Sequence, residues 1–171
     1  MRVTLDTNVI RDMVDSRRIG HKDAMRLAAL IRDKKIEAQV TTRIDVDVPN
    51  EPLKSMIAGL HEISEVRAGA PFRLDYSRLN SGDYITSGIE SDEAGELMHV
   101  LFPGAEPASP RHRNRLADVD HILAHRKSGA HWFITSEKAL LNNEKVLRDK
   151  YSTCICSPGK FLSQELWRND D

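Results

Sequence analysis

The sequence predicts an α/β fold: a three-layer α/β/α sandwich around a mostly parallel central sheet. Short β-prone segments alternate with segments whose apolar residues recur at helical spacing, which is typical of parallel sheets covered by helices. The length of 171 residues fits a single domain over residues 1–171. A composition with 40% hydrophobic and 30% charged residues is ordinary for a globular protein and excludes a fibrous or disordered chain.

The first elements follow from local patterns. Residues 2–5 are β-prone, and the apolar residues of 9–14 have helical spacing, which predicts a strand that runs into a helix. An amphipathic helix is predicted over residues 21–35 and a second strand over residues 36–41. Asp6 therefore lies at the carboxyl end of the first strand.

The middle of the chain, residues 48–115, is predicted to be an irregular insertion. Within it, a Glu-Pro start and regular apolar spacing predict a helix over 51–66. A short strand near 72–76 and a helix over 92–102 are also predicted, and the three prolines and one glycine of 103–110 mark a break. We expect the insertion to be an RNA clamp, an oligomer contact, a regulatory element or an addition without a role of its own.

The last third alternates most clearly. The pattern predicts a helix over residues 111–129, whose final glycine is typical of a helix end. A strand over 131–135, a helix over 137–150, a strand over 152–156 and a closing helix over 158–167 complete the prediction.

Charge and composition restrict the cellular location of the protein and the way in which it can bind nucleic acid. No apolar run approaches the roughly 18 residues that cross a bilayer, so no membrane span is expected. The amino terminus lacks a long apolar segment and the chain has only two cysteines, which favours a cytoplasmic protein. Because the formal net charge is -1, binding to nucleic acid requires a local basic patch.

Asp6, Asp47 and Glu137 stand at or near the ends of predicted strands, and Asp118 lies inside the helix that precedes the third strand. Ligands of open α/β sheets gather at the carboxyl ends of the strands, where Asp6, Asp47, Asp118 and Glu137 can converge. Converging carboxylates repel one another unless a cation offsets their charge. Mg²⁺ prefers oxygen ligands and keeps several waters, and such a metal can activate water against a phosphodiester. The set therefore suits hydrolysis of a phosphate ester.

Each acid also has a plain structural interpretation. Asp6 suits a helix cap, Asp47 suits a solvated polar loop, and Glu137 suits the first turn of a helix. Asp118 and Asp120 suit surface charge on their helix. Only the set as a whole points to a metal.

Three segments together resemble the PIN domain family of metal-dependent nucleases. Residues 3–10, Val-Thr-Leu-Asp-Thr-Asn-Val-Ile, are similar to the family's opening strand and its Asp-Thr/Ser-Asn signature. Residues 118–137 resemble the pattern of an acid, a helix, a glycine, an apolar strand and Thr-x-Asp. Residues 154–162 are similar to the last strand, followed by a proline and an apolar helix. The family is mostly RNA-cleaving and includes many toxins of bacterial toxin–antitoxin pairs.

The resemblance implies a site that binds Mg²⁺ or Mn²⁺. Asp6, Asp118 and Glu137 would be the metal ligands, with Glu137 in place of the usual Asp. Asp47 would be the remaining catalytic acid of the family pattern, where Glu is usual. Asp45 is the alternative to Asp47.

Further positions follow from the same resemblance. Asp120 is the alternative ligand to Asp118, since the helix can be shifted by half a turn. Thr7 or Asn8 would orient Asp6, and Thr135 would support Glu137.

A basic cluster directly precedes Asp118. Arg111, Arg113 and Arg115 are the candidate RNA-phosphate contacts, because arginine offers a planar fork suited to phosphate. The alternative is a solvated helix start without a special role. Three arginines nearer the amino terminus can extend the same RNA-binding groove: Arg11, Arg17 and Arg18.

Two functions follow. The first is a metal-dependent endoribonuclease, in one version the toxin of a toxin–antitoxin pair, with an antitoxin protein and a homodimer as expected partners. The second is a catalytically weak or inactive PIN-like domain that binds RNA or a protein.

Overall fold

The structure is a computed structural model that describes residues 1–47, 68–71 and 88–164, without the side chains of 45, 46 and 88–91. The helix predicted over 51–66 and the strand predicted near 72–76 lie outside the described residues. In the described ranges, no helix is both long enough and apolar enough to cross a membrane.

A parallel sheet organises the chain. Its strands are β1 (Arg2–Leu5), β2 (Glu37–Val40), β3 (Trp132–Ile134) and β4 (Ile155–Cys156). All three pairings are parallel, and the order is β2-β1-β3-β4. The α/β prediction with a mostly parallel sheet is therefore confirmed.

The register places the strand ends together. Leu5 pairs with both Val40 and Ile134, and Ile134 pairs with Cys156. The residues after these strands, Asp6 and Thr135 among them, therefore lie along one edge of the sheet.

The first helices are α1 (Thr7–Val14), α2 (His21–Arg32) and α3 (Ile44–Asp47). The predicted helix over 9–14 thus begins at Thr7, because the Asp6 carbonyl already accepts the Val9 N–H at 3.0 Å. The predicted helix over 21–35 ends early, and the left-handed backbone of Lys34 (φ 56°) turns the chain into β2.

The later helices are α4 (Gly88–Leu101), α5 (His112–Ser128), α6 (Lys138–Asn142), α7 (Glu144–Tyr151) and α8 (Pro158–Ser163). α5 ends as predicted, at Gly129 in the left-handed conformation (φ 67°). The predicted single helix over 137–150 is two helices. The break is at Asn143, whose side-chain amide donates to the Ala139 carbonyl at 2.9 Å.

Helices cover both faces of the sheet. Successive strand residues alternate between two apolar clusters, with Ile134 in one and the fully buried Phe133 in the other. The first cluster includes residues of α1, α2 and α8, and the second includes residues of α4 to α7. This arrangement is the predicted three-layer sandwich.

Two parts of the predicted insertion over 48–115 are described: residues 68–71, and residues 88–115, which include α4 and the start of α5. Ala68 forms a parallel bridge with Thr41, directly after β2. Arg43 is fully buried, donates to the Pro71 carbonyl and lies 3.3 Å (Nε to Oδ2) from the buried Asp120 carboxylate. Arg43 thereby joins residues 68–71, through the Pro71 carbonyl, to Asp120 of α5.

Candidate active site

A cavity of about 580 Å³ opens at the carboxyl ends of the strands. Asp6, Asp47, Asp118 and Glu137 all line it. They come from the start of α1, the end of α3, the body of α5 and the start of α6. The topology thus brings together four acids that lie far apart in the sequence.

Asp6 is the most deeply placed acid of the cavity. It is 4% exposed, and the Thr135 hydroxyl donates to its Oδ2 over 2.6 Å. Burial raises the pKa of Asp6, while the charge of His121, the Thr135 hydroxyl and the Asn8 backbone N–H lower it. The Asn8 backbone N–H thus contacts this carboxylate, whereas the Thr7 hydroxyl donates to Asp47.

Asp47 ends a helical turn, so its interpretation as a residue of a solvated loop is wrong. Its Oδ2 accepts hydrogen bonds from Thr7 Oγ1 at 3.0 Å and His121 Nε2 at 2.7 Å. Burial alone would raise the pKa of Asp47, but the hydrogen bond and charge of His121 outweigh it, and the pKa lies below its ordinary value. The alternative acid Asp45 lies in the same turn, and its side chain is outside the described set.

Asp118 and Asp120 are separated by the helix geometry. Asp118 lines the cavity, whereas Asp120 is fully buried beside Arg43. Burial, reinforced by the negative charge of Asp6, raises the pKa of Asp118 to about 8. Of the two acids, Asp118 is therefore the one that faces the other cavity carboxylates.

Glu137 both caps a helix and lines the cavity. Its Oε1 accepts the Ala139 N–H of α6 at 3.4 Å, in keeping with its interpretation as a helix-start acid. Its own N–H donates to Thr135 Oγ1 at 2.9 Å. Thr135 thus contacts both predicted ligands, as an acceptor for the Glu137 backbone and as a donor to the Asp6 side chain.

The sequence interpretation missed His121. Burial alone would lower the pKa of His121. The hydrogen bond and charge of Asp47, together with the charge of the nearby Asp6, raise this pKa by a larger amount, so the net shift is upward. The available signal was its position three residues after Asp118, which places both on one helix face. His125, one turn later, is buried against Thr4, with Nδ1 at 2.9 Å from the hydroxyl.

Only part of the predicted basic cluster lies at the cavity. Arg113 lines it, whereas Arg111 is at the exposed start of α5 and Arg115 lies over the Phe102 ring at 5.6 Å.

The amino-terminal arginines divide in the same way. Arg11 lines the cavity and donates to the Asp47 carbonyl at 2.6 Å. Arg17 pairs with Asp15 on the surface, and Arg18 pairs with the buried Asp12.

The cavity acids suit a hard divalent cation that keeps part of its water shell. Among the described residues, no group of three or more His, Cys, Asp or Glu side chains is placed to hold a metal ion directly. Mg²⁺ usually binds through only one or two carboxylates and retains waters, so it does not require such a group. The pKa of Asp118 is raised first by burial and then by the negative charge of Asp6, so ionisation of this carboxylate carries a cost. A cation in the cavity would remove that cost.

Comparison with models of known protein families finds no match for this chain, and no curated protein matches it significantly.

Proposed function

We propose that this protein is a metal-dependent endoribonuclease that hydrolyses RNA phosphodiester bonds. The observation that carries the proposal is the convergence of Asp6, Asp118 and Glu137 on one cavity at the carboxyl edge of a parallel sheet. Oxygen-only donors of this kind favour Mg²⁺ or Mn²⁺, and a cluster of carboxylates at a strand edge suits phosphate chemistry.

In this proposal Asp6, Asp118 and Glu137 would hold the metal, directly or through the waters that it retains. When bound, Mg²⁺ or Mn²⁺ supplies a positive centre that activates water and offsets charge on the phosphodiester.

The residues around these acids suit the binding of a polyanion in the cavity. Thr135 keeps the Asp6 carboxylate in one orientation through its 2.6 Å hydrogen bond. Arg113 and Arg11 reach the cavity from α5 and α1. Their guanidinium groups suit the phosphates on either side of a scissile bond. Asn114 adds an amide donor and acceptor on the α5 wall.

The choice of RNA as the substrate rests on the resemblance to PIN domains. So do the more specific parts of the proposal: a toxin of a toxin–antitoxin pair, an antitoxin protein as partner, a homodimer and a cytoplasmic location.

A second candidate function is a PIN-like domain that binds RNA or protein without cutting. The observation that favours it is the state of Asp47, whose Oδ2 is already bonded to His121 and Thr7. A catalytic site that needs all four acids as free ligands would be impaired by these bonds.

Cleavage of a labelled structured RNA, with Mg²⁺, Mn²⁺ or EDTA, tests the proposal. Asp6→Asn is the decisive variant, because Asn retains an acceptor for Thr135 but loses the charge. Asp149→Asn is the matched control, since Asp149 is exposed on α7. We expect metal-dependent cleavage by the wild type and the control, and loss of cleavage with retained RNA binding in Asp6→Asn. RNA binding by the wild type without Mn²⁺ binding or cleavage would favour the second function.

A further inference from the structure

His121 uses both of its ring nitrogens within the cavity wall. Its Nδ1 lies 2.6 Å from Thr41 Oγ1, and its Nε2 lies 2.7 Å from Asp47 Oδ2. The same carboxylate oxygen accepts the Thr7 hydroxyl at 3.0 Å. This chain of hydrogen bonds joins the end of β2, α5, α3 and α1 across one side of the cavity.

The order Thr–His–Asp resembles the relay that activates a hydroxyl nucleophile, but the surroundings exclude that role. Thr41 is fully buried and is not among the residues that line the cavity, so a substrate cannot reach its hydroxyl. His121 is 2% exposed and is held between its two partners. The arrangement therefore fixes positions instead of supplying a nucleophile.

The contact with Asp47 has a defined direction. An ionised carboxylate only accepts hydrogen bonds, so Nε2 of His121 is the donor. With the Thr7 hydroxyl as a second donor, Oδ2 of Asp47 is occupied twice. A metal ion that took this oxygen would have to displace both donors.

We propose that His121 is a positioning residue that commits Asp47 to hydrogen bonding and keeps it out of the metal coordination. The cavity then takes its metal through the other three acids and presents less negative charge to an RNA phosphodiester. This inference rests on the proposed nuclease function and assigns the role of its fourth acid.

The same helix supplies a matched control. His125 is equally buried and its Nδ1 also contacts a threonine hydroxyl, that of Thr4, but it does not line the cavity. Replacement of His125 by Leu removes a comparable buried contact outside the cavity. Replacement of His121 by Leu removes the donor to Asp47 as well.

The experiment measures Mn²⁺ affinity by titration and RNA cleavage by steady-state kinetics, together with the Tm of each variant. In His121→Leu the freed Asp47 competes for the cation, so we expect Mn²⁺ to bind about 3–10-fold tighter, the scale of one modest hydrogen bond. The more negative cavity should raise KM for RNA by a similar factor. His121→Gln, whose amide can still donate to Asp47, should restore both values towards those of the wild type.

Two further variants keep the test decisive. Adding Asp47→Asn to His121→Leu should abolish the gain in Mn²⁺ affinity, because the gain requires that carboxylate. If His121→Leu does not fold, Thr41→Val removes the hydrogen bond to Nδ1 of His121 with little change of shape. We then expect Mn²⁺ affinity and KM to change in the same directions as in His121→Leu, but by smaller factors. His125→Leu should lower Tm while leaving Mn²⁺ affinity and KM unchanged.

A His121→Leu protein that binds Mn²⁺ more weakly, or exactly as His125→Leu does, would overturn the inference while leaving the nuclease function intact. A wild-type protein that binds no Mn²⁺ and cuts no RNA would overturn the proposed function, and the inference with it.

Discussion

Thr135 donates its hydroxyl proton to Asp6 over 2.6 Å, and both side chains are buried. The same hydroxyl oxygen accepts the Glu137 N–H at 2.9 Å. One side chain therefore fixes the orientation of Asp6 and the path of the backbone at Glu137. Because β1 and β3 are neighbours in the sheet, the two predicted ligands at their ends are linked through a single group.

Thr135→Val should damage both stability and the site. Valine keeps the shape but leaves a buried carboxylate without its donor, which costs about 1–3 kcal/mol of unfolding free energy. We expect this loss in denaturant unfolding and a concurrent fall in Mn²⁺ affinity. Thr135→Ser retains the hydroxyl and is the control. If the two variants behaved alike, the hydrogen bond to Asp6 would be unimportant.

Gly20→Ala tests the packing that supports Ser136, the neighbour of Glu137. A Cβ at Gly20 would lie 2.4 Å from Oδ2 of Asp12, a buried carboxylate that also accepts the Ser136 hydroxyl at 2.7 Å. Overpacking of this kind costs about 1–3 kcal/mol, so thermal unfolding should occur at lower temperature.

Gly95→Ala is the matched substitution, because nothing lies within 4 Å of a Cβ there and the position is exposed on α4. It should stabilise the protein by about 0.5–1 kcal/mol through helix propensity. Opposite signs for the two Gly→Ala changes are the expected result, and equal effects would contradict the described packing around Asp12.

The sheet edge and its acids were predictable from the sequence. Asp6 follows β1 directly, Glu137 comes three residues after the end of β3, and carboxyl ends of parallel strands meet at one edge. Asp118 was predicted together with Asp120, because the sequence does not define the rotation of a helix about its own axis. That rotation depends on packing, and here Asp120 pairs with the buried Arg43 while Val119, Ile122 and Leu123 enter the second apolar cluster.

The role of His121 depended on tertiary contacts, and the helix break depended on one side-chain hydrogen bond; the apolar pattern reveals neither. His121 is held in the site by hydrogen bonds to Thr41 and Asp47, which lie 80 and 74 residues away in the sequence. The break at Asn143 comes from a side-chain bond to the Ala139 carbonyl within an otherwise helical pattern. Neither feature alters the apolar periodicity from which elements are predicted.

Arg113→Gln should weaken RNA binding more than Arg111→Gln does. Arg113 lines the cavity, whereas Arg111 is exposed at the start of α5. Loss of one phosphate contact lowers the slope of log affinity against log salt by about 1. Binding titrations at several salt concentrations measure this slope, and equal slopes for the two variants would place the RNA elsewhere.

His125 should make folding sensitive to mild acid. Burial, with a contribution from Arg126, lowers its pKa from 6.5 to about 4. Above pH 6.5 the imidazole is neutral in both states and stability is full. Between pH 6.5 and 4 the unfolded chain binds a proton that the folded chain does not, so stability falls by up to about 3 kcal/mol. The measurement is denaturant unfolding at pH 7 and pH 4.5 for the wild type and His125→Gln, and a fall of equal size in both would assign the effect to other groups.

Asp118→Asn should stabilise the metal-free protein, because it removes the charge of a carboxylate that is costly to ionise. Burial and Asp6 raise the pKa of Asp118 to about 8, so the metal-free protein loses stability as pH rises from about 4 through 8. At pH 8 the variant lacks this cost, and we expect it to be more stable than the metal-free wild type by more than about 1 kcal/mol.

Addition of Mn²⁺ should reverse that order. A cation that binds only the folded state stabilises it in proportion to the logarithm of its concentration over Kd. The wild type and the exposed-site control Asp149→Asn should therefore rise in Tm with Mn²⁺, while Asp118→Asn should respond little. If Asp118→Asn gained as much from Mn²⁺ as the wild type, Asp118 would not be a ligand. If Asp118→Asn were less stable than the wild type without metal, the Asp118 carboxylate would be held by interactions that outweigh its burial and the repulsion from Asp6.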